Sequence, residues 1–135
     1  MKKEDTTIAQ KKKFEELHWH IQQWKSNFQF MDDEILFINR LLDSNAFRPN
    51  TPNLFERIQD FKNRINKISE TNQDVQSSIT LHENHLGGIL ECSDVDCDLS
   101  YYQKQDKLQT KIDACLSNFR ELKSEIFNYT GGILN

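Results

Sequence analysis

The stretch Phe14–Leu42, FEELHWHIQQWKSNFQFMDDEILFINRLL, decides the fold. Its large apolar residues fall at Phe14, Leu17, Ile21, Trp24, Phe28, Met31, Ile35, Ile38 and Leu42, in steps that alternate between three and four without a break. A strand would need every second residue apolar. A three-four alternation instead keeps one stripe of a helix turned toward its neighbours, which is the seam of a heptad repeat.

Working outward, the same alternation returns twice. It runs from Leu54 through Ile58, Phe61, Ile65, Ile68, Asn72, Val75, Ile79, His82 and Leu86 to Ile89, with only Asn72 and His82 polar. It returns at Tyr101, Gln105, Leu108, Ile112, Cys115, Phe119, Leu122, Ile126 and Tyr129, with Gln105 as the polar member. Three helices are predicted, covering about 7–44, about 52–90 and about 96–130 of one domain that spans 1–135. Thr7 with Gln10 has the spacing of a capping box. Thr51 before Pro52, or Asn53 with Glu56, starts the second helix. Asp94, Asp96 and Asp98 can cap the third, and Gly131 with Gly132 offers a left-handed stop.

The connections, near Arg48 and near Asp94, are short enough to force antiparallel neighbours. The expected fold class is therefore all-α: an elongated, antiparallel, up-down-up three-helix bundle with coiled-coil-like seams. A tight turn at Arg48 pairs the first two helices where residue numbers total about 96, and one at Asp94 pairs the last two where they total about 189. That register sets Phe14 opposite His82, and Asn72 near Trp24 and Cys115. Buried polar seam residues fix register at some cost in stability, so Asn72, His82 and Gln105 read as alignment devices, with His82 neutral and hydrogen-bonded to Gln105.

Composition narrows the function. The 135 residues carry a formal charge of −4, and Glu91, Asp94, Asp96 and Asp98 account for it. The densest basic run is Lys11, Lys12 and Lys13, too little for the counterion release that drives nucleic-acid binding, so no nucleic acid is expected. No apolar run approaches a membrane span, and MKKEDTTIAQKKK lacks the hydrophobic centre of a secretory signal. No membrane association is expected. Nine Phe and two Trp are too many anchors for a disordered chain. Three cysteines, an odd number, fit the reducing cytoplasm, although Cys92 and Cys97 are close enough to pair.

Chemistry-bearing patterns are few. There is no glycine-rich phosphate loop, no nucleophile elbow and no carboxylate pair with distinct roles, so no enzyme and no cofactor are expected. The stretch Leu81–Gly88, LHENHLGG, brings His82 and His85 to one helix face, three residues apart, where the zinc protease motif needs four. With His18, and with Cys92 and Cys97 just beyond, these histidines form an alternative reading as a metal-binding or metal-sensing module. Cys115, on the seam, behaves as a small hydrophobe. The preferred reading is a non-enzymatic bundle that binds a protein partner or forms a homodimer. Phe30, Phe37 and Leu41 form a second apolar stripe off the seam, and Trp19 points away from it; these four are the expected interaction residues. The bland alternative is that Phe47 and the carboxyl-terminal GGILN fold back over the stripe.

Overall fold

The computed structural model describes the backbone of residues 2–91 and 95–135, and the side chains of residues 8–89, 91 and 98–135. Among these residues four helices follow in chain order: α1 Lys2–Leu42, α2 Leu54–Asn84, the single turn α3 Gly88–Glu91, and α4 Val95–Gly131. The three long ones form the three-helix bundle, and the expected fold class holds. Every apolar seam residue from Leu17 to Leu42 is buried. The described residues contain no strand, only an isolated antiparallel bridge between Phe47 and Leu134.

By contacts the chain divides into two compact units. One comprises the chain up to Phe28 together with Asp74–Ile112, and the other Gln29–Gln73 with Asp113–Asn135. The first unit buries Leu17, Ile21, Trp24 and Phe28 of α1 with Ile79 and His82 of α2 and Leu108 and Ile112 of α4. The second buries Met31, Ile35 and Ile38 with Phe61, Ile65 and Asn72, and with Cys115, Phe119, Leu122 and Ile126. Side chains of this size gain about 1.5–3 kcal/mol each on leaving water, which is why the seam decides the fold.

The register of α2 on α4 is the expected one: Arg64 meets Glu125 at 2.6 Å, and the rings of Phe61 and Tyr129 lie 5.6 Å apart. The register of α1 on α2 is not. Asp43 pairs with Lys62 and Met31 with Asn72 in the second unit, and Lys25 with Glu83 at 3.0 Å in the first, about one heptad further along α2 than a tight turn allows. The cause lies in the connection. Phe47 turns inward and is buried, and the first turns of α2 run past the end of α1. Trp24 therefore takes the place opposite His82 that was expected of Phe14.

Helix ends depart from expectation in three places. α1 extends back to Lys2, which puts Thr7 inside the helix. α2 stops at Asn84: the His85 and Leu86 amides donate to the carbonyls three residues back, and a second tightened turn over Gly87 leads into α3. Gly131 and Gly132 do not supply a left-handed stop, since no glycine has positive φ. Instead the Gly132 and Ile133 amides close tightened turns, and the tail is drawn to the first connection, where Arg48 N donates to Ile133 O (2.8 Å) and Asn135 N to Ala46 O (2.8 Å). Among the described residues the one left-handed non-glycine is Asn53, at φ 58°, behind Pro52; with Leu54 N donating to Thr51 O this is the pattern of a type II turn leading into α2.

Candidate functional site

In the second unit, α1 places Phe30 and Phe37 two turns apart on one face, 66% and 60% exposed, with half-buried Leu41 one turn further. On α4 the Lys123–Glu34 ion pair (2.7 Å) marks the flank that faces α1, and Phe127, one turn on from Lys123, stands 40% exposed on that same side. On α1, Phe30 and Phe37 thus lie about one turn before and one turn after Glu34, whose pair with Lys123 is partly buried. The tail does not cover this face: it pairs with the connection and covers Phe47, while Leu134 itself remains half exposed.

Not all the bulk at this end is core. Phe55 is 76% exposed and Leu36 about half exposed, both off the heptad seam. Phe55 begins the part of α2 that overruns α1, so no neighbour remains to cover it.

In the first unit Trp19 is 58% exposed, its indole edge-on to the His20 ring at 5.2 Å. His82 is the buried polar centre. Its ring stacks on Tyr101 (centroids 4.1 Å apart) and lies 6.3 Å from Trp24, and its Nε2–H donates to the Gln105 carbonyl oxygen. Tyr101 O–H in turn donates to the His82 carbonyl (2.9 Å). Burial pushes the His82 pKa down, partly opposed by the bond to Gln105, so the ring is neutral at neutral pH. Burial also raises the Tyr101 phenol. Trp24 donates its indole N–H to Gln109 (2.8 Å), and Gln22 and Lys25 both reach Glu83. The Gln105 amide nitrogen is buried without a partner, a cost that suits an alignment device better than a solvating role.

The residues of the metal reading are not brought together. His82 is occupied by Gln105 and Tyr101, His18 stacks on Phe14 and meets Gln22, and His85 is exposed. Cys92 and Asp94 lie outside the described residues, and so do the side chains of Cys97 and Asp96. Among the described residues no three His, Cys, Asp or Glu side chains converge as a metal ion requires. Cys115 is a free, buried thiol whose pKa is raised by burial. No described helix is long and apolar enough to cross a membrane.

Heptad counting missed Phe127 as an exposed residue. Its signal was present, since it follows the seam residue Ile126 directly and so sits about 100° round the helix from the core. No protein-family model, no curated protein and no solved structure matches this chain.

Proposed function

We propose that the protein acts by holding another protein chain, through the apolar face that Phe30, Phe37, Leu41 and Phe127 make in the second unit, and that it catalyses no reaction. The observation that supports this is the exposure of Phe30 and Phe37 on one helix face beside an exposed Phe127. Aromatic residues at the centre of a protein interface carry much of its binding energy, and a charged pair set between them gives orientation. A second copy of the chain is the simplest partner, because a twofold dimer uses the same patch twice. The cytoplasm, where thiols stay reduced, suits a chain that keeps Cys115 as a free thiol.

Sedimentation of the wild type beside a Phe30→Asp, Phe37→Asp double variant tests self-association, with circular dichroism to check that both are folded. A dimer that falls to single-chain mass in the variant supports the homodimer; unchanged mass rules it out. A photo-crosslinking residue placed at position 30 in the native cell then tests a different partner. If no discrete adduct forms, this face is not an interface.

A further inference from the structure

On the first unit, α2 and α4 border an open surface hollow of about 260 Å³ lined by three lysines, Lys104, Lys107 and Lys111, and by His85. The three lysines lie at spacings of three and four on one face of α4, all exposed. Its apolar lining comes from Leu81 and Leu108, with the buried His82 beside them. Leu81 is itself more than half exposed. No carboxylate lines the hollow, and Lys104, Lys107 and Lys111 take part in none of the ion pairs among the described residues. The nearby acid Glu83 is engaged by Lys25 and Gln22 on the α1 side. In a chain of net charge −4, three unneutralised lysines over a greasy floor are out of keeping with the rest of the surface.

We infer that this hollow is a binding site for a small organic anion, a carboxylate carried on a short apolar body, with the lysines holding the carboxylate and Leu81 and Leu108 taking the body. A concave apolar floor with a few convergent polar groups is the usual form of a small-ligand site. Ammonium groups on flexible stems can converge on one carboxylate from two helical turns. A partner helix fits less well, because it would need an apolar floor over several turns, whereas this one is a single layer bounded by Ser78 and Lys111 on one side and His85 and Lys104 on the other. The positive potential is also felt inside: Lys104, after burial and the exposed His85, helps keep His82 neutral.

Octanoate is a suitable probe, titrated into the ¹⁵N-labelled full chain and followed by amide shifts. Saturable shifts are expected at Leu81, Leu108 and Lys107, with octanol at least ten-fold weaker because it lacks the charge, and acetate without effect because it lacks the body. A Lys107→Gln, Lys111→Gln double variant, both positions exposed and its fold checked by circular dichroism, should weaken octanoate at least ten-fold. Equal affinity for octanol, equal affinity in the double variant, or shifts confined to the Phe30 and Phe37 face would each overturn the site. So would binding of a polyglutamate peptide as tight as that of octanoate, since charge alone would then suffice.

Discussion

Lowering the pH from 7 to 5 should weaken the unit that holds His82. The imidazole is buried against Tyr101 and Trp24, and its folded pKa lies below the value of about 6.5 that it has in the unfolded chain. Between those two values the unfolded chain binds a proton that the folded chain refuses, so stability falls as pH falls. Above about 6.5 neither state binds it, and this contribution is flat. One proton limits the slope to about 1.4 kcal/mol per pH unit, hence a loss of at most about 2 kcal/mol by pH 5. That is a large share of the roughly 5–15 kcal/mol that holds a domain together. Urea unfolding read by Trp24 fluorescence, in a Trp19→Phe background that removes the exposed indole, measures it. His82→Leu should begin lower, because Gln105 loses its partner, but should run level from pH 7 to 5. The depressed carboxyl of Glu125 titrates below this window and does not confuse it. If the wild type and His82→Leu lose stability in parallel, His82 is not the responsible group.

Four further outcomes are expected. Asn53→Val should cost about 1–2 kcal/mol in a chemical melt, because a β-branched residue resists the left-handed backbone that Asn53 adopts, while Asn53→Gly should cost little. Asn72→Leu should raise the melting temperature: the buried Asn72 amide donates to the Met31 sulfur, a weak acceptor, and a leucine there removes about 1 kcal/mol or more of desolvation cost. The same variant should show mixed association states by sedimentation if Asn72 fixes register. Arg64→Gln should return the Glu125 carboxyl, now held low by the Arg64 bidentate bonds (3.0 and 2.6 Å), to its ordinary titration range by NMR. Its sign is opposite to that of a group held high: stability from this pair is present at neutral pH and lost as pH falls through the depressed value. Phe47→Ala should cost about 3–5 kcal/mol, more than an exposed loop residue would, because the ring is buried under the tail.

The seam residues made the three helices legible, and the polar exceptions were legible with them. Hydrophobic period depends only on local sequence, so Ile21, Trp24 and Ile65 announced their burial without any knowledge of their neighbours. The pairing of His82 with Gln105 followed from the α2 to α4 register, which a short connection fixes. The α1 to α2 register was not legible. It depends on whether the residues between Leu42 and Leu54 turn tightly or fold inward, and Phe47 turning in is a tertiary choice rewarded by contact with a tail more than 80 residues away in the chain. The same long-range contact explains why the tail left Phe30 and Phe37 bare: it was already engaged elsewhere. The lysine-rimmed hollow escaped notice because charge was sought in contiguous runs. Lys104, Lys107 and Lys111 are separated in sequence and meet only through helical spacing.

The buried thiol of Cys115 has a use that its inertness conceals. A maleimide reacts with thiolate, and burial both hides this sulfur and disfavours its charged form, so modification must wait until α4 loosens locally from its unit. With Cys92 and Cys97 replaced by serine, the labelling rate becomes a clock for that opening. Comparing the clock with and without a bound partner would reveal whether engagement at the aromatic face tightens the interior behind it.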